Sequence, residues 1–187
     1  MMRKLLAIAL LSALCIVGLT SCEKLKELFP GIEIPLPEVP ITVPVNVGPT
    51  PLFPNGIVLP RITQKFNLDS IIKANTNNQF GVADVTSVKL KDLTLSITDG
   101  ANQANNLSNF ENIKFAFSSN KNTTAVSIAD YNFPDTYTTT ANIIAANSPE
   151  LVSYIIGNEL YYDVTVKPRR AVTQAFTVVI KATVTAK

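Results

Sequence analysis

The side chains of this 187-residue chain that could do chemistry are few. There is no histidine, so nucleophile arrangements that need an imidazole base are excluded. Typical zinc sites, which draw on histidine and cysteine, are excluded with them. The seven glycines are scattered, and neither a dinucleotide fingerprint nor a P-loop is present. Carboxylates remain. Asp130 and Asp135 flank an aromatic loop, and Glu159 lies near Asp163. Two carboxylates roughly 5 to 9 Å apart can run glycoside hydrolysis. Solvated surface acids are the preferred reading of both pairs. The chain is therefore expected not to be an enzyme, with a carboxylate-based hydrolase as the least favoured alternative.

Ser70-Ile71-Ile72-Lys73 matches the SxxK motif of penicillin-recognising enzymes. No KTG follows, so the serine reads as part of a helix start and the lysine as solvated. Asp99, Asn102, Asn105 and Asn106 could offer oxygens to calcium. Only one of them is charged and the EF-hand spacing is absent, so an Asn-rich hairpin loop is the expectation. No metal and no cofactor is called for. Tyr131-Asn132-Phe133-Pro134-Asp135-Thr136-Tyr137 carries three aromatics in a segment broken by proline and polar residues. Tyr131, Phe133 and Tyr137 are the candidate ligand-binding residues, able to stack on a sugar or a partner protein. The competing reading is that they cap the core. Tryptophan, a favoured sugar-stacking residue, is absent.

Only Cys15 and Cys22 are present. Arg3 and Lys4 precede an apolar run from Leu5 to Leu19. A charged start followed by such a run is the layout of a secretory signal. The run falls short of the roughly 20 residues that span a bilayer. Leu19-Thr20-Ser21-Cys22 then places small residues ahead of a thiol, the pattern of a lipobox. Cleavage before Cys22 would remove Cys15 and leave Cys22 as the lipid-modified N-terminus. The processed chain would then have no cysteine for a disulfide, and its stability must come from a core. Two of the 16 basic residues, Arg3 and Lys4, lie ahead of Cys22, so 14 bases face 14 acids after it. Lys167, Arg169 and Arg170 form the only basic cluster, read as a charged hairpin tip. Nothing resembles the basic stripe of a nucleic-acid binder, and no nucleic-acid partner is expected.

Three segments follow: a signal at 1–21, a Pro-rich lipid-anchored tether at 22–56, and a sandwich domain at 57–187. Nine of the 12 prolines fall between Pro30 and Pro60. Proline makes such a segment extended and semi-rigid. Ile41, Val43, Val45 and Val47 alternate with polar or proline residues, so an edge strand is expected at 41–47. Downstream, Phe176, Val178, Ile180, Ala182, Val184 and Ala186 share one parity, the period of a half-buried strand. Leu160, Tyr162, Val164 and Val166 do the same, and Pro168-Arg169-Arg170 between the two runs predicts a C-terminal hairpin. Val88 and Leu90 differ in parity from Leu93, Leu95 and Ile97, which predicts a β-bulge near Lys91-Asp92. Further strands are expected at Ile62–Phe66, Ile113–Phe117, Val126–Ile128 and 138–145, making about seven in the domain. Short helices are expected after Asn67 and after Ser148-Pro149-Glu150. The fold class is all-β with two short helices, a single antiparallel β-sandwich of immunoglobulin-like type.

The lipobox, Pro-rich tether, Asn/Thr-rich strands and closing hairpin together resemble uncharacterised Bacteroidota lipoproteins. That resemblance implies the outer membrane, on its periplasmic or surface side, and an envelope protein or glycan as partner beside the membrane itself. Asp69-Ser70-Ile71 also resembles the O-glycosylation sequon of exported proteins in that group, which makes Ser70 a candidate modification site. A non-catalytic binding or structural module is the expected function, with a glycan-binding module using the 131–137 loop as the alternative.

Overall fold

A computed structural model describes residues 31–45, 55–143 and 148–187. The expected signal segment, Cys22 and residues 46–54 lie outside the described residues. The compact unit runs from Ile32 to Ala186. Its strands are β1 (Ile32–Pro35), β2 (Val39–Val43), β3 (Ile57–Val58), β4 (Ile62–Lys65), β5 (Val88–Asp99), β6 (Phe110–Ser119), β7 (Val126–Asn132), β8 (Thr140–Ile143), β9 (Glu159–Pro168) and β10 (Phe176–Ala186). Two short helices interrupt them, α1 (Leu68–Asn75) and α2 (Val152–Ile155). No helix among the described residues is long and apolar enough to cross a membrane.

Every strand pairing is antiparallel, and the strands form two sheets. One runs β1–β10–β5–β8, with β2 also on β10; the other runs β3–β9–β6–β7, with β4 also on β9. Strand interiors alternate: β9 and β10 bury every second residue along their length. The chain is thus an all-β antiparallel sandwich with two short helices. Its strand order is that of a jelly roll, two four-strand paths built as Greek keys. In an immunoglobulin sandwich the last two strands share a sheet; here β9 and β10 belong to different ones.

The C-terminal hairpin expected from sequence is therefore not formed. Alternation fixes which face of a strand is buried, not which strand lies beside it. β9 pairs with β6, β3 and β4, while β10 pairs with β5, β1 and β2. Residues 169–175 cross from one sheet to the other instead of turning back.

The proline-rich segment also behaves differently from a tether. Ile34, Leu36, Val39, Ile41 and Val43 are buried, and β1 and β2 form one edge of the sandwich along β10. Proline is tolerated there because an edge strand has one side with no ladder to complete; Pro35 and Pro40 are exposed. The edge strand is seen at Val39–Val43, two residues ahead of the expected start at 41, with residues 46–47 of that expectation outside the described residues; the compact unit begins at Ile32. The bulge expected near Lys91-Asp92 is present. Thr183 pairs with Asp92 and Val184 with Leu90, leaving Lys91 as the extra residue. Leu90 and Leu93 are both buried as a result.

Among the largest buried side chains are Phe115, Phe117 and Phe176. Phe117 meets Tyr162 edge-on at 5.5 Å and Tyr154 of α2 at 6.0 Å. Tyr162 is 3% exposed, and its hydroxyl has no hydrogen-bond partner among the described residues. Burial pushes its ionisation well above the usual tyrosine range. A buried unsatisfied hydroxyl costs stability, whereas the ring alone would lose nothing. Tyr162→Phe is expected to raise the unfolding free energy by about 1 kcal/mol, read as a higher urea midpoint at unchanged slope. A midpoint at or below wild type would show that the hydroxyl is bonded in solution.

Candidate functional site

One end of the sandwich is closed by a knot of asparagines joining the 100–109, 133–139 and 169–175 loops. β5 ends at Asp99, and Gly100 turns the chain with φ +79. A Cβ there would sit 2.6 Å from the Ala175 carbonyl oxygen, so only glycine fits. Asn105 is 2% exposed; its Oδ1 accepts from the N–H groups of Thr173 at 2.7 Å and Gln174 at 3.1 Å. Asn106 Oδ1 accepts from Ser108 N–H at 3.0 Å and Thr138 N–H at 3.3 Å. Asn109 Nδ2 donates to the carbonyls of Ala104 at 2.8 Å and Ala171 at 2.9 Å. Its Oδ1 accepts from Asn106 N–H at 3.1 Å.

These bonds give the asparagines read as candidate calcium ligands a structural role in the loops. The Oδ1 atoms of Asn102, Asn105 and Asn106 accept hydrogen bonds from backbone N–H groups, and Asp99 is exposed outside the knot. No cluster of three histidine, cysteine, aspartate or glutamate side chains able to hold a metal occurs among the described residues.

The basic cluster sits at the same end, but not as a solvated hairpin tip. Arg169 donates to the carbonyls of Ser108 at 3.0 Å, Pro134 at 3.3 Å and Phe133 at 2.9 Å. Arg170 donates to Ser108 Oγ at 3.1 Å and pairs with Asp135. The arginines thus hold the aromatic loop against the sandwich. Tyr131 lies in β7, half-buried, and Phe133 is 3% exposed. Their rings meet edge-on at 5.1 Å. Tyr137 is 50% exposed. The three candidate binding aromatics therefore do not form one platform: Phe133 caps the core, Tyr131 leans on it, and Tyr137 faces solvent.

The carboxylate pairs are likewise divided among different cations. Asp130 lies 3.4 Å from Lys114 Nζ, while Asp135 belongs to Arg170. Asp163 takes a two-pronged contact from Arg61 at 2.7 and 2.8 Å. Glu159 accepts from the Tyr161 hydroxyl at 3.0 Å, which raises the tyrosine's ionisation above its ordinary value.

Ser70 is exposed on α1, and its backbone N–H donates to the cap Asn67 at 3.0 Å. Lys73 pairs with Asp69 at 2.6 Å rather than with Ser70. That contact, with the Val82 N–H, holds the Asp69 carboxyl below its ordinary value.

α2 begins later than the sequence indicates. Ser148 Oγ accepts from Leu90 N–H at 2.6 Å, so it anchors β5 and not the helix. Glu150 does the capping: it accepts from Ser87 Oγ at 2.7 Å, Val88 N–H at 2.5 Å, Leu151 N–H at 3.2 Å and Val152 N–H at 3.3 Å. Burial pushes its carboxyl up, but the bonds from Ser87, Val88, Val152 and Leu151 outweigh this and hold it below its ordinary value of 4.5. The stabilisation is then complete above pH 4.5 and fades as pH falls through the lower folded-state value. Glu150→Gln should lower the unfolding midpoint at pH 7, and the gap to wild type should narrow at pH below about 4. Thermal melts of both proteins across that range would check this.

A built polar surface lies on the outer face of the β3–β9–β6–β7 sheet. A hollow of about 500 Å³ is lined there by Asn55, Glu111, Asn112, Lys114, Asp130, Asn132, Thr165 and Lys167. Its shape comes from a bulge. Phe110 pairs with Pro168 and Asn112 with Lys167, so Glu111 is the extra residue. A bulge re-aims side chains; here Glu111 and Asn112, adjacent in sequence, both line the hollow. Asn112 Nδ2 donates to Asp130 Oδ1 at 2.6 Å and to Asn132 Oδ1 at 2.9 Å. Lys167 pairs with Glu111 at 2.9 Å. A second hollow of about 420 Å³ is lined by Lys65, Phe66, Asn67, Asn158 and Glu159. Its amides serve structure: Asn67 caps α1 and Asn158 bonds Asn120. The bulged hollow had no signal in the sequence, because alternation alone would send Glu111 and Asn112 to opposite faces.

No protein-family model matches the chain, and no curated protein sequence does. Among solved structures, it is similar to an infectious bursal disease virus structure, Gt strain, at 6% identity and a TM-score of 0.39. That match covers 84% of this chain, which spans 32% of the viral one. It is also similar to a decameric BFDV capsid protein, at 12% identity and a TM-score of 0.34 over 84% of this chain and 100% of that one. Desmodium yellow mottle tymovirus gives 10% identity and a TM-score of 0.25 over 84% and 87%. Likenesses at this level carry no function.

Proposed function

We propose that the chain is a lipid-anchored protein of the outer membrane, facing the periplasm or the cell surface, whose sandwich is a non-catalytic binding or structural module. The observation that carries the reading is Leu19-Thr20-Ser21-Cys22 behind a basic and apolar leader, ten residues ahead of β1 at Ile32. A lipid on Cys22 would leave a leash of at most about 35 Å, fully extended, between acyl chains and sandwich. The packing of β1 and β2 on β10 supports a short leash, because Ile34, Leu36, Val39, Ile41 and Val43 of the proline-rich segment are buried in the domain. The binding role is supported by the separate cation partners of the candidate acids and by the hydrogen-bonded hollow on one sheet face.

The test is cell fractionation of wild type and Cys22→Ala, with metabolic labelling by a palmitate analogue. Wild type should be labelled and pelleted with outer membranes; the variant should be unlabelled and released. A Cys22→Ala protein that remains membrane-bound would overturn the anchor. Protease added to intact cells then decides between the surface and the periplasmic side.

A further inference from the structure

We propose that the hollow bounded by Glu111, Asn112, Lys114, Asp130, Asn132 and Lys167 is a binding site for an uncharged oligosaccharide. The proposal deepens the binding-module reading and rests on it. It also moves the ligand from the 131–137 loop to the sheet face.

Charge chooses the ligand class. Glu111 and Asp130 are matched by Lys167 at 2.9 Å and Lys114 at 3.4 Å, so the surface has no net charge. An anionic ligand would have to compete with carboxylates already seated on both lysines, and a cationic one with ammonium groups on both acids. An uncharged ligand breaks neither pair. Hydrogen-bonding chemistry narrows the class further. The lining mixes amide groups, carboxylates, ammonium groups and the Thr165 hydroxyl within one hollow. A sugar hydroxyl donates one proton and accepts through two lone pairs, so it suits a surface that offers both functions side by side.

Preorganisation supports binding. Asn112 holds Asp130 and Asn132 in place through both amide protons, so these side chains are already oriented before a ligand arrives. The volume of about 500 Å³ is within the usual range for small-molecule sites. Val58 adds an apolar element. It is 71% exposed and pairs with Thr165, so its side chain shares that face of the sheet and could meet the C–H face of a sugar ring.

The experiment uses the full processed protein in detergent micelles on an array of neutral glucan, galactan and mannan oligosaccharides, with uronate and sulfated counterparts beside them. Binding is expected to a subset of the neutral chains. Calorimetry with the strongest of these should show about tenfold weaker binding for Asp130→Ala and for Asn132→Ala, since each removes one anchored hydrogen-bonding group. Thr165→Arg, which fills the hollow without touching the amide network, should abolish binding at an unchanged melting temperature. Tyr137→Ala should bind like wild type. The proposal falls if no neutral oligosaccharide binds, if only charged chains bind, or if all three site variants match wild type. It also falls if Tyr137→Ala alone loses binding, which would return the site to the loop. Recovery of a protein partner together with a blank array would sink the sugar site and leave the tethered-module reading standing.

Discussion

Replacing Asn109 with leucine is expected to lower the unfolding free energy by about 3 kcal/mol. The side chain is 1% exposed, and both its amide nitrogen and its oxygen are engaged. Leucine keeps the branched outline and opens no cavity, so the loss comes from the missing hydrogen bonds together with some crowding by its larger methyl groups. It orphans the buried N–H of Asn106 and removes the donors that join Ala104 to Ala171. Each orphaned buried group costs about 1–3 kcal/mol, the part-buried carbonyls at the low end because water can reach them. Asn109→Asp separates the two halves of the loss. It keeps the acceptor for Asn106 and removes both donors, so it should destabilise too, but it should leave the 106–109 turn closed. Asn105→Leu acts on the same 169–175 crossing through Thr173 and Gln174, so the double variant should cost less than the sum. Hydrogen exchange at Thr173 and Thr138 gives the local readout. If both amides keep wild-type protection in Asn109→Leu, the knot does not hold the loops together.

The knot also shows where sequence reasoning stops. An Asn-rich stretch is legible as a turn, because asparagine competes for its own backbone. Nothing in the spacing of Asn105, Asn106 and Asn109 reveals that their partners lie at Thr138, Ala171 and Thr173. Alternation was more informative. It located the bulge to within Lys91-Asp92, since a parity change between Leu90 and Leu93 can arise only from an inserted residue or a reversal of faces. It gave the buried faces of β9 and β10 correctly and their pairing wrongly, because a strand's inward residues are the same whichever neighbour it has. Prolines misled in the other direction. Pro35, Pro37 and Pro40 read as part of a spacer ahead of an edge strand at 41–47, yet that strand starts at Val39 and β1 precedes it, since an edge is the one place in a sheet where prolines cost little. The hollow depends on a bulge at Glu111 whose effect is only visible once β6 is paired with β9. Of the aromatic loop, composition gave the three rings but not which of them is buried, and nothing local shows that Arg169 bonds the Phe133 and Pro134 carbonyls from 36 and 35 residues away.

The second large effect is expected at Phe117. Phe117→Ala should cost about 3–5 kcal/mol, the range for a buried phenylalanine that leaves a cavity. Phe117 is 1% exposed and lies between Tyr162 on β9 and Tyr154 on α2. That position makes the loss unequal in space. The β6–β9 ladder keeps its backbone bonds from Asn112 to Ser119 whatever side chain stands at 117. α2 has only four residues; Leu151 at its N-cap offers no side-chain bond, and the Glu150 carboxylate just ahead of it supplies the capping. A helix that short has little stability of its own and depends on packing. Removing the ring takes away the surface on which Tyr154 sits, so α2 should loosen before the sheets do. Amide exchange at Ile155 and Ile156 is expected to rise more than the global unfolding constant predicts, while the amides of β6 follow it. Phe117→Leu, which keeps most of the volume, should cost about 1 kcal/mol and leave α2 protected. Uniform loss of protection across α2 and β6 in Phe117→Ala would mean that the helix and the sheet unfold as one unit, and that Phe117 holds the core as a whole rather than the helix upon it.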